Sequence, residues 1–218
     1  MEQRWCRITV LLSVKKNQHT LRSPDGEHGA CFCYGSNSVT QLCERLQSDA
    51  LVAEAATLHG WHRIFAGVSQ KWGGGGVASL VEAAGSSCVG SIVQLTDEQF
   101  GRLDGFEGIQ PGSDPECSDF SVNRYRRQWV VVAVPPVVAG GVEERRAIAY
   151  IRNSSEWGAF PSDACLAACH RNISQFFEEL DGPGSDGAGP CLVVRDGTGQ
   201  VRGEWRPASA EPVVRQVL

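Results

Sequence analysis

Gly29-Ala30-Cys31-Phe32-Cys33-Tyr34-Gly35-Ser36-Asn37 is a short apolar run that breaks off into small polar residues. Residues 30–34 are apolar throughout and bounded by Gly29 and Gly35, the pattern of a buried strand. Gly35-Ser36-Asn37 reads as a tight turn, because glycine and asparagine tolerate backbone angles that other residues avoid. Backbone N–H groups in such a turn have left the strand ladder and can face a cavity, where they suit a carboxylate or a developing oxyanion. Taken alone the tetrapeptide Tyr34-Gly35-Ser36-Asn37 says little, since most glycines at strand ends only make turns.

Working outward, residues 1–29 are polar and carry Pro24, Asp25 and Gly26, which reads as a loosely ordered N-terminal extension. Within it Trp5 to Val14 is mildly apolar but interrupted by Arg7, and basic residues outnumber acids. A signal peptide, an organellar presequence and a plain tail all stay open there, with the plain tail as the expectation. After the turn, Leu42, Cys43, Leu46, Leu51 and Ala55 are spaced for one or two helical segments within 40–56. His62–Gly67 reads as a strand, Gly73–Gly76 as a loop, and Val77–Glu82 with Cys88–Leu95 as the next pair of strands. Thr96-x-x-Gln99 has the form of a capping box that opens a short helix with Phe100 and Leu103 facing inward. A loop over 108–119 precedes strands at Tyr125–Val134 and Arg145–Arg152. A helix over Pro161–Leu180, a flexible run over 182–190 and a hairpin around Asp196-Gly197 complete the chain. Many strands with few helices predict an α+β fold, a small mixed β-barrel with flanking helices. One domain is expected over 30–180, followed by a C-terminal extension over 181–218.

At 218 residues the chain can bury one substantial core. A composition of 42% hydrophobic and 21% charged residues with net charge −5 offers no basic footprint for nucleic acid or an anionic membrane surface. No apolar run approaches the about 20 residues needed to span a bilayer. Nine cysteines, an odd number scattered through expected strands and helices, fit reduced buried thiols in the cytoplasm better than a disulfide framework. Neither Cys31-x-Cys33 nor Cys165-x₃-Cys169-His170 has a good zinc spacing, so no metal and no cofactor are expected. The four-glycine run is followed by a strand pattern and lacks Gly-Lys-Ser/Thr, which argues against a phosphate cradle. Asn153-Ser154-Ser155 and Asn172-Ile173-Ser174 match a glycosylation pattern that is common by chance. A cysteine nucleophile at Cys31 or Cys33 would need His59, His62 or His170 as base, and no spacing pairs them.

Leu103-Asp104-Gly105-Phe106-Glu107-Gly108 sets a carboxylate between an aromatic and a glycine just after the expected helical turn. Half-burial there would raise the Glu107 pKa toward the working range of a general base, although an isolated acid of this kind is more often a solvated surface residue. It is not isolated. The turn Tyr-Gly-Ser-Asn is followed in order by Phe-x-Gly, Trp-Gly-Gly-x-x-Val-Ala-Ser, Val-Gly-x-Ile-Val, Leu-Asp-x-Phe-Glu-Gly and Tyr-Arg-Arg. From about Ala30 to about Phe177 this set resembles the γ-glutamylcyclotransferase family, which includes plant avirulence-induced proteins of the same fold.

The resemblance implies a mixed barrel with a central cavity and a cofactor-independent, lyase-type acyl transfer. A γ-glutamyl compound becomes 5-oxoproline plus a free amino acid or amine, as in glutathione metabolism. It places the catalytic acid–base at Glu107 and the substrate-contacting loop at Cys31, Phe32, Cys33, Tyr34, Gly35 and Ser36. Asn37 would stabilise that loop, Tyr125 would be an aromatic near the cavity, and Tyr150 would lie on a cavity-lining strand. Cys165 stands where the family carries a tyrosine that holds substrate, which puts substrate preference in question. The partner is then a small γ-glutamyl molecule, bound by a cytoplasmic monomer or homodimer. A γ-glutamylamine donor, and a non-catalytic binding module on the same fold, remain alternatives.

Overall fold

A computed structural model describes residues 28–135, 141–154, 156–177 and 191–207. The apolar run forms strand β1 (His28–Cys33), followed by helix α1 (Val39–Leu46), strand β2 (Ala53–Ser69), a single 3₁₀ turn and strand β3 (Gly75–Thr96). Helix α2 (Asp97–Glu107), strands β4 (Tyr125–Val134) and β5 (Glu143–Arg152), helix α3 (Asp163–Ile173) and a hairpin of β6 (Leu192–Arg195) and β7 (Val201–Trp205) follow. The first five strands close into a barrel in the order β1-β3-β2-β4-β5. Its seam is the parallel pairing of β1 with β5, where Cys31 faces Ile148, while the other barrel pairs are antiparallel. The fold is therefore the expected α+β mixed barrel with flanking helices.

Local sequence explains where the helices start and stop. Thr96 Oγ1 accepts from the Gln99 amide at 3.2 Å and Gln99 Oε1 accepts from the Thr96 amide at 2.9 Å, so the capping box forms and α2 begins where expected. Phe100 and Leu103 are buried beneath it. Strand β4 has the expected bounds, and β5 starts two residues earlier than expected, at Glu143. Helix α3 is shorter than the predicted 161–180: Ser162 caps its first turn, it ends at Ile173, and 178–180 lie outside the described residues. Of the extension expected over 1–29, residues 28 and 29 belong instead to β1, paired with Thr96 and Leu95, while 1–27 and the expectation for 182–190 lie outside the described residues.

Two expectations are corrected. The helical spacing over 40–56 holds only to Leu46, because Gln47 turns into the left-handed region at φ 53° and the Ser48 amide closes back on Cys43 O at 3.0 Å. Leu51 and Ala55 belong instead to the approach and first residues of β2, where a period of two serves their burial as well as a helical period would. Second, Val77–Glu82 and Cys88–Leu95 are not partners of one another but two parts of one 22-residue strand, β3. Both pair with β2, as in His62 opposite Val81 and Leu58 opposite Cys88. Gly60 and Gly85, at φ 80° and 76°, let the two long strands bend together at a register shift between His59 and Trp61, and this bend resembles a turn in sequence.

The barrel interior is packed by Phe32, Leu58, Leu80, Ile92, Val132 and Ala149. Full burial of a valine, leucine, isoleucine or phenylalanine side chain contributes about 1.5–3 kcal/mol. Helices α1 and α2 cover a second cluster around Cys31, Val93, Leu95 and Ile148. In a third, Leu192 and Val194 of the terminal hairpin meet Phe65 and the Leu166, Cys169 and Ile173 face of α3, so the described part of the segment after 180 shares the core. No helix among the described residues is long and apolar enough to cross a membrane.

Where β1 leaves the sheet its carbonyls need other donors. The Asn172 amide nitrogen donates to Cys33 O at 3.2 Å and Gly35 O at 2.9 Å, and Arg63 Nε donates to Tyr34 O at 2.8 Å. Gly90 lets β3 press against this strand end, since a Cβ there would lie 2.7 Å from Cys33 O and 2.8 Å from the Phe32 ring. Gly90→Ala should therefore cost about 1–3 kcal/mol, read as a lowered midpoint in chemical denaturation. An unchanged midpoint would show that the strand end can yield.

Candidate functional site

Beyond the end of β1 the barrel opens into a cleft of about 520 Å³. The Tyr34–Asn37 turn forms one wall, the end of α2 a second, the Val68–Trp72 turn a third, and the first turns of α3 close the floor through Cys165 and Cys169. Glu107 is the last residue of α2. Gly108 adopts φ 75° and its amide returns to Asp104 O and Gly105 O, which ends the helix there and leaves the Glu107 carboxylate on the wall of the cleft.

Two side chains hold that carboxylate. Asn37 Nδ2 donates to Glu107 Oε1 at 3.1 Å, and Arg45 Nη1 donates to the same oxygen at 3.2 Å. Arg45 Nη1 also donates to Asn37 Oδ1 at 2.6 Å, so the three groups form a closed triangle. Arg45 is positioned by α1, whose first turn is capped by Ser38, and its guanidinium lies 5.3 Å over the exposed Phe106 ring. Only 12% of the Glu107 side chain is exposed. Burial pushes its pKa above the ordinary carboxylate range, and Arg45, Asn37 and Lys71 offset this only in part.

Three phenols surround this group. Tyr34 donates its hydroxyl to the Tyr150 carbonyl, Tyr125 donates to Ala78 O at 3.3 Å, and Tyr150 donates to Asp104 Oδ1 at 2.8 Å. Arg127 grips Asp104 through two bonds of 2.9 and 2.8 Å. Burial raises all three phenolic pKa values, with the Glu107 charge adding to the rise at Tyr34 and Tyr125, so the rings are neutral at physiological pH. Among the described residues, the backbone amides of Gly35, Ser36 and Asn37 have no backbone acceptor.

Of the residues expected at the site, Phe32, Cys33, Tyr34, Gly35, Ser36, Asn37, Tyr125 and Cys165 border one cleft with Glu107 and Tyr150. Cys31 does not line it. The cleft meets β1 only at its end, and Cys31 is buried two residues earlier in the cluster beneath α1 and α2, with its sulfur 3.9 Å from Cys33 Sγ. Asn37 does more than brace its own loop, since its amide is spent on Glu107 and Arg45. Cys165 is buried in the first turn of α3, and a hydrogen bond from the Cys169 thiol draws its pKa down. The sequence reading passed over Arg45, Lys71, Arg124 and Arg152, all on the cleft wall, and treated Asn172 as part of a chance motif. Only the basic residue in the last turn of the amphipathic α1 could have pointed to Arg45. Among the described residues no three His, Cys, Asp or Glu side chains gather as a metal site.

Comparison with known proteins is consistent in direction. Over 96 residues the chain is 30% identical to gamma-glutamylcyclotransferase of Bos taurus; this covers 42% of the chain and 50% of the relative, so the chain spans about half the length of the curated relative it matches. A solved gamma-glutamyl cyclotransferase is 20% identical, with a TM-score of 0.51 over 68% of this chain and 80% of the other. An uncharacterized protein from Homo sapiens is 21% identical, with a TM-score of 0.53 over 73% and 83%. At such identities the two structures share the fold. Residues 31–165, more than half of the chain, match the sequence profile of the family described as gamma-glutamyl cyclotransferase, AIG2-like, and the chain belongs to that family.

Proposed function

We propose that this chain is a γ-glutamyl cyclotransferase, with Glu107 as its general acid–base. The observation that carries this is a buried carboxylate of raised pKa on the wall of a cleft also lined by the Gly35–Asn37 turn, whose amides have no backbone acceptor among the described residues. The substrate's α-amine attacks its own γ-carbonyl, a C–N bond forms, and the carbonyl oxygen becomes an oxyanion that the turn amides stabilise. Glu107 takes the proton released by the attacking nitrogen and passes it to the departing nitrogen as the original amide bond breaks. 5-Oxoproline and a free amino acid or amine result. A pKa lifted by burial but restrained by Arg45 and Asn37 suits both halves of that transfer. A cleft of about 520 Å³ is large enough to fold a γ-glutamyl chain back on itself, and holding that conformer supplies much of the rate by proximity. Neither bond change requires a metal or an organic cofactor.

Glu107→Gln keeps the shape and removes the base, so 5-oxoproline release should fall by about 10²- to 10⁴-fold with substrate binding retained. A variant at half the wild-type rate removes Glu107 from the mechanism. The raised carboxyl pKa also has a stability sign. The fold favours the protonated form, so this contribution is fully present below the unfolded pKa and is lost as pH rises through the folded one. Wild type should accordingly lose melting temperature relative to Glu107→Gln across that rise.

Arg45→Gln removes the principal charge that lowers the Glu107 pKa. The acid limb of the pH profile for kcat/KM should then move to higher pH, and an unmoved limb would separate Glu107 ionisation from turnover.

Cys165→Tyr restores the hydroxyl that the family's pattern carries at this position. Because Cys165 borders the cleft, the change should alter KM or donor preference more than kcat. If the ring cannot enter the cleft it overpacks the floor and costs about 1–3 kcal/mol instead. A large fall in melting temperature with unchanged donor preference would sink the substrate-contact role of Cys165.

A further inference from the structure

Eight cysteines lie among the described residues, all with free thiols, and three of them, Cys33, Cys165 and Cys169, border the cleft. The acid–base chemistry of Glu107 uses none of them. Cys33 has a neighbour in Cys31, but Cys31 is sealed beneath α1 and α2, away from the cleft. Its hydrogen bond with Cys33 and its burial push the Cys31 thiol well up, so it keeps its proton.

Cys165 is placed differently. It stands three residues after the capping Ser162, and its amide donates to Ser162 Oγ at 3.3 Å. The positive end of the α3 dipole therefore acts on its sulfur, which favours the thiolate. The Cys169 thiol, one turn further along the same helix, donates to that sulfur, and so does the Ala78 amide of β3. Together these bonds draw the Cys165 pKa down against its burial. The approach of β3 to the start of α3 depends on Gly75, where a Cβ would lie 2.7 Å from the Ser162 nitrogen. Cys165 is only 1% exposed and borders the cleft, so a reagent that reaches it has to enter the cleft and be small.

We propose that Cys165 and Cys169 form a peroxide-reactive thiol pair in the floor of the cleft, with Cys165 as the attacking sulfur and Cys169 as its resolving partner. The Cys165 sulfur attacks one oxygen of hydrogen peroxide. An S–O bond forms, the O–O bond breaks, and the departing hydroxide takes up the thiol proton to leave as water. The Cys169 sulfur then attacks the sulfenic sulfur of Cys165. An S–S bond forms, the S–O bond breaks, and a second water carries off the Cys169 proton. Two thiols are oxidised and one peroxide is reduced, and a dithiol reductant reverses the change. Side chains four residues apart on a helix hold their Cβ atoms about 5–6 Å apart, whereas a disulfide needs about 3.5–4.5 Å. Bridging therefore deforms the first turns of α3, which floor the cleft and lead to Asn172, the anchor of the β1 end. The thiol chemistry stands apart from the cyclotransferase reading, and only its effect on turnover rests on that reading.

The test treats the full chain with hydrogen peroxide, with and without dimedone, and maps the modified peptides by mass spectrometry. Cys117 is the internal standard, because it is the one described cysteine that is not buried. The wild type should form the Cys165–Cys169 disulfide before Cys117 is oxidised, and dithiothreitol should reverse it. Cys169→Ser should stop at a Cys165 sulfenic acid that dimedone captures, and Cys165→Ser should leave Cys169 unlabelled. Release of 5-oxoproline from γ-glutamylalanine, compared before and after oxidation of the same protein, should fall on the order of 10- to 100-fold in the wild type and recover on reduction. The same comparison in Cys165→Ser should show no fall. If that variant does not fold, the wild-type map and Cys169→Ser decide the question. Oxidation at Cys117 first, dimedone on Cys169 in place of Cys165, or a bridge between Cys31 and Cys33 overturns the pair. A Cys165–Cys169 disulfide with turnover unchanged overturns the displacement of the floor. A reduced protein that releases no 5-oxoproline sinks the cyclotransferase reading, and the peptide map still decides the pair.

Discussion

Strand β1 makes its last pairing at Cys33 opposite Ser91, yet three carbonyls, those of Cys33, Tyr34 and Gly35, still have to be satisfied inside the protein. Two side chains from distant segments do this. Asn172, 137 residues away from Gly35, bridges the carbonyls of Cys33 and Gly35, and Arg63 reaches Tyr34 O from β2 while also donating to Val89 O at 2.6 Å. A buried carbonyl left unpaired costs about 1–3 kcal/mol, so the departure of the chain from the barrel is fixed to one geometry. The position of the turn amides, and of the Asn37 side chain that meets Glu107, follows from that anchoring. Gly35 adds a steric limit, since a Cβ there would stand 2.9 Å from the Ala78 methyl.

Glu107 is held between opposing demands. Burial favours its neutral form, while Arg45 and Asn37 favour the anion, and burial prevails. At the neighbouring phenols the opposing cations, Arg152 at Tyr125 and Arg127 at Tyr150, count for less. Burial dominates at Tyr34, Tyr125 and Tyr150, so they keep their protons and act through fixed hydrogen bonds. The cleft therefore sets one carboxylate under opposing demands beside three phenols that keep their protons.

What could be read from sequence was local. The Thr96–Gln99 capping box, the bounds of β4 and the burial of Phe100 and Leu103 each depend on residues within a few positions of one another. The juxtaposition of the Tyr34–Asn37 turn with Glu107 was accessible only through likeness to a family, because 70 residues separate Asn37 from Glu107. The roles of Asn172 and Arg63 had no local mark, since each derives its role from a partner in another element. The bend in β2 and β3 misled for a physical reason: glycines at positive φ serve a bulge in a continuous strand and a true turn equally well. Cys31 and Cys33 share a period of two, but only the later one lies where the cleft reaches the strand.

Helix α2 is pinned at both ends, by the reciprocal bonds of Thr96 and Gln99 at its start and by the left-handed Gly108 at its close. Its eleven residues thus act as a ruler laid between the barrel and the cleft. At about 100° of rotation per residue, adding or deleting one position within it would swing Glu107 off the cleft wall and into the packing around Leu103 or out to solvent. The surface of this helix is free to change composition, but its length is not, and the span from capping threonine to terminal glycine is as much a part of the site as the carboxylate it carries.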